Sequence, residues 1–503
     1  MTMADAARDL DLLIRSRYPI IYLKTWEEDR AERILDRIAK SQRKNLVEWT
    51  ATSGLRTLES HAGGEVKGGT LREPLAALDA VLQDSGRAIY VFKDIHLYLD
   101  DKVLIRKLRD LYDHLKRSYK TLVLMAPVLK LPTELEKSVY IKNLPPPEKE
   151  ALVSLLKDIV RSAGADKRFN VSLSADDIDR LAEAAMGLTL DEAERVFSKA
   201  LIDDRSLTSN DIPVVREEKE QIVHKSGVLE YYHSDETMDD VGGLEGLKDW
   251  LAKRGRAFTA EAIAYGLPKP RGMLLLGVQG CGKSLAAKAV ASLWRMPLLR
   301  LDMSRIFGSL MGSSEQNMRK ALDTAESVSP AVLWVDEIEK TFSGTESSGM
   351  TDAGTTARVF GSFLTWLQEN RSFVFCVATA NSIEKLPPEL LRKGRFDEIF
   401  FVDLPTPAER GPIFRIHLAK RRREPAGFDV ERFAEVSEGY SGAEIEQAIV
   451  SAMYDSFAED REVTSEDIIS SLKASVPLSV TRRETIEDLR LWAKERARMA
   501  SKK

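Results

Sequence analysis

Cysteine is nearly absent: Cys281 and Cys376 are the two among 503 residues. That count excludes a disulfide framework and a cysteine-rich metal site, and it fits a reducing compartment. Histidine is sparse too. Six are scattered along the chain, with no H-E-x-x-H pair, which excludes a zinc-protease module. No apolar run approaches the roughly 18 residues that span a bilayer. The first apolar run is preceded by Asp5, Asp9 and Asp11, the wrong charge for a secretory leader. Neither sign of charge dominates: 74 Lys and Arg stand against 79 Asp and Glu, a net −5. A nucleic-acid partner is therefore not expected. The expectation is a cytoplasmic chain without a membrane segment, long enough for roughly two to four domains.

What is present starts with "RGMLLLGVQGCGKSLAAKAVASLW" at 271–294, an apolar strand, a glycine-rich turn and a helix. Gly277 to Ser284 fits G-x-x-x-x-G-K-[ST]. Gly277, Gly280 and Gly282 let the backbone curl until its N–H groups face phosphate oxygens. The helix N-terminus adds its dipole. Lys283 brings a point charge to the outer phosphates, and Ser284 offers a hydroxyl to Mg²⁺. Cys281 is either a small filler or, with its thiol pKa lowered at a helix start, a redox-sensitive position.

Three further segments fit ATP hydrolysis. "AVLWVDEIEK" (331–340) is a strand apolar on both faces that ends in Asp336 and Glu337. Asp336 suits the Mg²⁺ shell, and Glu337 suits a base for the attacking water. "SFVFCVATAN" (372–381) ends another such strand in Asn381, a polar reach toward the γ-phosphate. "LLRKGRFDE" (390–398) carries Arg392 and Arg395. From spacing alone these act on this chain's own phosphates, on a neighbour's, or as surface charges.

Together the segments resemble the AAA+ ATPases, specifically the AAA subgroup, over about residues 239–475. "DDVGGLEGLKDWL" (239–251) looks like that subgroup's entry segment, which implies adenine contacts at Asp240, Val241 and Gly242. "SEGYSGAEIEQAIVSAMYD" (437–455) looks like its helical lid, with Gly442 and Ala443 at the adenine and ribose. The nucleotide-binding stretch runs on to Leu285. By resemblance Asn381 is the sensor residue, and Arg392 and Arg395 are arginine fingers acting on a neighbouring subunit's ATP, which implies a hexameric ring. The whole chain also resembles the AAA ATPase family known as a hypothetical plastid reading frame, with bacterial relatives. Two departures stand out. Val278-Gln279 and Cys281 replace the usual prolines and threonine, which the mechanism does not need. Leu310 and Met311 replace the aromatic of the substrate-gripping pore loop, weakening the expectation that polypeptide is threaded. "SGTESSGMTDAGTT" (343–356) reads as a mobile loop where a second pore loop belongs.

The chain also echoes itself. "AIYVFKDIHLYL" (88–99) parallels "AVLWVDEIEKTF" (331–342), "LPTEL" (131–135) parallels "LPPEL" (386–390), and "DIDRLAEAAMGLTLDEAE" (177–194) parallels "DVERFAEVSEGYSGAEIE" (429–446). The chemistry is missing from the first copy. Glu27, Glu28 and Asp29 stand where a phosphate loop belongs, Lys93 faces Asp336, Asp94 faces Glu337, Ala126 faces Asn381, and Leu190-Asp191 replace Gly442-Ala443. The expectation is an α/β protein of two AAA-type domains, each a parallel sheet flanked by helices with a small helical lid, the first inert. An unrelated α/β adaptor is the alternative for that first part. The expected bounds are 1–212 for the inert domain, 213–238 for a helix and linker, 239–405 for the ATPase, 406–475 for its lid, and 476–503 for a C-terminal helix with a basic tail. The expected cofactors are ATP and Mg²⁺. The expected role is a ring that remodels a protein partner, with an ATP-gated scaffold as the alternative and a nucleic-acid remodeller as a weaker one.

Overall fold

A computed structural model describes residues 3–59, 71–164, 173–233, 236–307, 313–340, 350–370, 372–392 and 394–502. Leu310 and Met311 lie outside them. The chain divides into two compact units, Met1–Val215 and Arg216–Lys503, and the Ile212–Ser226 helix crosses the division.

In the first unit the strands are β1 (Ile20–Lys24), β2 (Asn45–Thr50), β3 (Gly54–Glu59), β4 (Ala88–Lys93), β5 (Thr121–Ala126) and β6 (Val139–Asn143). They form one sheet in the order β3-β2-β4-β5-β1-β6. All neighbours are parallel except the β2–β3 hairpin. Strand alternation explains the unbroken apolar runs. Along β5, Leu122, Leu124 and Ala126 enter one core while Val123 and Met125 enter the core on the opposite face. Three helices follow the sheet, Lys149–Gly164, Ala175–Ala185 and Leu190–Asp204, the last two opened by capping boxes at Ser174 and Thr189.

The second unit contains β7 (Leu229–Tyr232), β8 (Gly272–Gly277), β9 (Leu298–Leu301), β10 (Ala331–Val335), β11 (Val374–Ala380), β12 (Glu398–Val402) and β13 (Arg498–Met499). The order is β13-β12-β8-β11-β10-β9-β7. Its five central strands are parallel and, by chain order, stand second, third, fourth, first, fifth across the sheet. The five parallel strands of the first unit stand in that same order. Both units are thus α/β sheets of one topology. Beyond the sheet lie four lid helices, Pro407–Lys420, Val430–Val436, Gly442–Ala458 and Ser465–Ala474, around Phe414, Phe433, Tyr440 and Ile449.

In secondary structure, three stretches differ from the sequence reading. The stretch read as a linker contains β7, antiparallel on β9. Residues 350–356, read as loop, begin the Met350–Glu369 helix. The basic tail is more than a docked helix: after Arg483–Arg496 it adds β13 to the sheet.

Candidate nucleotide site

The site is built at the C-terminal ends of β8, β10 and β11, where a topological switch leaves a crevice. Burial on both faces fixes β8, and the chain then leaves the sheet at Gly277. A Cβ there would lie 2.0 Å from the Val402 carbonyl oxygen, so the close passage of two backbones requires glycine. Gly277, Gly280 and Gly282 all adopt positive φ, and the Lys283–Trp294 helix starts beyond them. Lys283 is buried, and its Nζ donates to the carbonyls of Gly277 (3.0 Å) and Val278 (2.7 Å). Burial lowers its pKa to about 8, against the pull of nearby groups including Glu339, Asp336 and Glu337.

Ser284 Oγ donates to Asp336 Oδ1 at 2.8 Å, which joins the loop to the end of β10. Glu337 follows in a left-handed turn, φ 48°. Its Oε1 accepts from Asn381 Nδ2 at 3.2 Å, and its other oxygen pairs with Lys340. The lid closes the opposite side: the Ala443 N–H donates to the Gly280 carbonyl at 3.0 Å. Asp240 pairs with Lys420 at 3.0 Å and accepts from the Thr237 N–H, which holds its carboxyl below the usual range.

These groups enclose a cavity of about 500 Å³. Asp240, Val241 and Gly242 line one wall. Gly280, Cys281, Gly282, Lys283, Ser284 and Leu285 form the floor. Asp336, Glu337 and Asn381 stand at the phosphate end, and Gly442 and Ala443 come from the lid. Gly277 shapes the loop without lining the cavity. Burial pushes the Cys281 thiol up to about 12, so the expectation of a lowered thiol pKa is corrected: the side chain is a protonated filler.

Arg392 and Arg395 do not line the cavity. Their loop is tied to the opposite end of β8, where Arg271 Nη1 donates to the Gly394 carbonyl (2.8 Å) and Asp397 Oδ2 accepts from the Arg271 N–H (2.7 Å). From that end β8 takes five steps, Gly272 to Gly277, to reach the phosphate loop, about 17 Å at ~3.3 Å per step.

The motifs did not point to several cavity residues. Ile413, His417 and Glu446 line it from the lid, and Ser501 from the chain's end. His417 Nδ1 lies 3.7 Å from Glu446, and burial lowers the imidazole pKa. Burial would raise Glu446, but the Arg421 guanidinium at 2.6 Å overrides it and holds the carboxyl low. Ser501 carries no signal in the sequence. Thr379 has none, since it reads as one more strand residue.

The first unit fills the corresponding place with its own side chains. Lys93 Nζ pairs with Glu28 (3.0 Å), Glu48 (3.3 Å) and Glu32. Burial opposes its charge, but those carboxylates outweigh it and raise its pKa. Glu27 Oε1 accepts from the Leu190 N–H at 2.9 Å, and Arg30 joins Glu27 to the Pro145 carbonyl. Strand register revises one equivalence. Lys93 sits opposite Met125, as Asp336 sits beside Thr379, so the residue standing for Asn381 is Pro127 rather than Ala126.

Fold and site define a P-loop ATPase of the AAA class. A model described as the "ATPase family associated with various cellular activities (AAA)" matches residues 273–404, and an AAA+ lid model matches 427–470. Models of the SpoVK-like AAA ATPase N-terminal and second domains match 6–144 and 150–226. The ycf46 AAA domain-containing protein of Pyropia yezoensis is 42% identical over 499 residues, covering 98% of this chain and 99% of that one. Its counterpart in Guillardia theta is 41% identical over 490 residues, covering 97% and 94%. The cell division cycle protein 48 homolog of Archaeoglobus fulgidus is 35% identical over 219 residues, 41% of this chain and 29% of that one. The chain belongs to the family of ycf46 AAA domain-containing proteins, and it binds and hydrolyses ATP. No helix among the described residues is long and apolar enough to cross a membrane.

Proposed function

We propose that the chain is a Mg²⁺-dependent ATPase that works as a ring, remodelling or disassembling a protein partner, with a first unit that does not turn over nucleotide. Ser284 and Asp336, hydrogen-bonded oxygen donors at the phosphate end, are the residues that suit Mg²⁺. Bound there, the ion would neutralise phosphoryl charge. Lys283 exchanges its carbonyl partners for the outer phosphates. Glu337, held by Asn381, orients and deprotonates the attacking water.

The observation that carries the ring is the position of Arg392 and Arg395. A reach of about 17 Å along β8 is too long for an arginine to touch its own chain's phosphates. The Arg395 Nε is moreover buried with no hydrogen-bond partner among the described residues. A head-to-tail neighbour brings such a residue to the next cavity, and repetition of that contact closes a ring. Mixing tests this. Lys283→Ala retains fingers without a working phosphate loop, and Arg395→Ala the reverse. Each alone should be nearly inactive, and the mixture should recover turnover. No recovery, with wild-type turnover independent of protein concentration, rejects the reading.

The scaffold alternative draws support from the first unit. Its Lys93 and Glu27 networks are satisfied without nucleotide, which suits a surface that presents a partner rather than one that cycles.

A further inference from the structure

Thr379 is 1% exposed at the end of β11, beside the phosphate end of the cavity. Its single hydroxyl makes two hydrogen bonds. Oγ1 donates to Asp336 Oδ1 at 2.7 Å and accepts from the Glu337 N–H at 2.9 Å. Ser284 Oγ donates to the same Asp336 oxygen, so two donors from two elements fix how that carboxylate is turned. The backbone is altered as well. In a parallel ladder the Glu337 N–H would go to the Thr379 carbonyl. Here that carbonyl takes the next N–H instead, from Ile338 at 3.0 Å. Glu339 completes the lacing by accepting the Asn381 N–H at 2.9 Å.

The first unit supplies the internal control. Met125 stands where Thr379 does and has no hydroxyl. There the ladder runs on unmodified, with the Asp94 N–H donating to the Met125 carbonyl at 2.9 Å. The hydroxyl is found in the unit that carries the carboxylate pair and is missing from the unit that lost it.

We propose that Thr379 is a positioning residue that couples the metal-facing Asp336 to the water-facing Glu337 through one hydroxyl. It contributes no atom to the reaction. It sets the rotation of one carboxylate and the backbone of the other, so both reach working geometry together. The inference rests on the ATPase activity and on the roles assigned to Asp336 and Glu337.

Thr379→Val keeps shape and removes both bonds, whereas Thr379→Ser keeps the hydroxyl. Two readouts are needed: steady-state kcat, and equilibrium affinity for a fluorescent ATP analogue with Mg²⁺ and with EDTA. For Thr379→Val, kcat should fall about 10- to 100-fold, and the gain in affinity on adding Mg²⁺ should shrink, while affinity in EDTA stays at the wild-type value. Thr379→Ser should restore both. Wild-type kcat in the valine variant overturns the proposal, as does a serine variant no better than valine or a valine variant that loses affinity in EDTA. If the valine chain does not fold, Thr379→Ala against Thr379→Ser makes the same comparison.

Discussion

Asp94 and Glu337 share one unusual conformation: both are non-glycine residues in the left-handed region, φ 54° and 48°, just past the ends of β4 and β10. That conformation costs roughly 1 kcal/mol, so its survival in both units reflects a common turn rather than coincidence. Around it the chemistry has diverged. Glu337 faces a cavity, whereas the place beside Asp94 is filled by Lys93 and its carboxylates.

The divergence predicts one nucleotide per chain. Removing Lys93 would leave Glu28, Glu32 and Glu48 without that cation, and removing Glu27 would strand the buried Arg30 guanidinium; neither change builds a phosphate loop. Titration of the full chain with a fluorescent ATP analogue should saturate at one equivalent. Lys283→Ala should abolish binding altogether. A remaining site in that variant would assign nucleotide binding to the first unit.

Glu337→Gln should separate binding from hydrolysis. The amide still accepts from Asn381 through its carbonyl oxygen but takes no proton from water. We expect kcat to drop by ~100-fold or more with ATP affinity retained, as for loss of a general base. Isotope-labelled ATP should co-purify with the variant on a desalting column. A partner captured by this trapped form and not by Lys283→Ala would favour the remodelling role.

The pKa of Lys283 sets a pH limit on binding. In the empty pocket burial lowers it to about 8, whereas phosphate contact favours the charged form and must raise it. The empty state therefore releases its proton first as pH rises. Affinity should be flat below pH 8 and fall above it, by up to ~tenfold per pH unit. Affinity measured from pH 6.5 to 9.5 checks this. A fall on the acid side of pH 8 would contradict the assignment.

Much of the site was legible because its parts are contiguous motifs: the loop from Gly277 to Ser284 and the Asp336-Glu337 pair each sit in one short segment. The repeat was legible because alternation writes buried strands as apolar runs in both copies. Thr379 was hidden by the same logic, since one hydroxyl in "VFCVATA" does not change a strand's pattern and its meaning depends on which strand lies beside it. His417, Glu446 and Ser501 reach the cavity through lid packing and an added strand, long-range contacts with no local signature. β13 is two residues long, too short for any periodicity to announce.

That short strand supports the last prediction. β13 pairs with β12, the Ala500 N–H donates to the Phe401 carbonyl at 2.9 Å, and the Ala500 carbonyl accepts from the Leu247 N–H at 2.9 Å. Leu247 lies in the first turn of the Glu245–Gly255 helix, which follows closely on the segment whose Asp240 to Gly242 line the cavity. Gly246 lies against this strap: a Cβ there would stand 2.9 Å from the Ala500 carbonyl oxygen and 3.1 Å from that of Met499. In an open helix Gly→Ala stabilises by roughly 0.5–1 kcal/mol. Here the methyl meets backbone on an added strand, so the sign should reverse: Gly246→Ala should lower the unfolding temperature and weaken ATP binding several-fold. Removal of residues 498–503 should reproduce the loss of affinity, and combining it with Gly246→Ala should add little, because two changes to one contact are not additive. A Gly246→Ala chain more stable than wild type would show that the strap does not hold the entry helix.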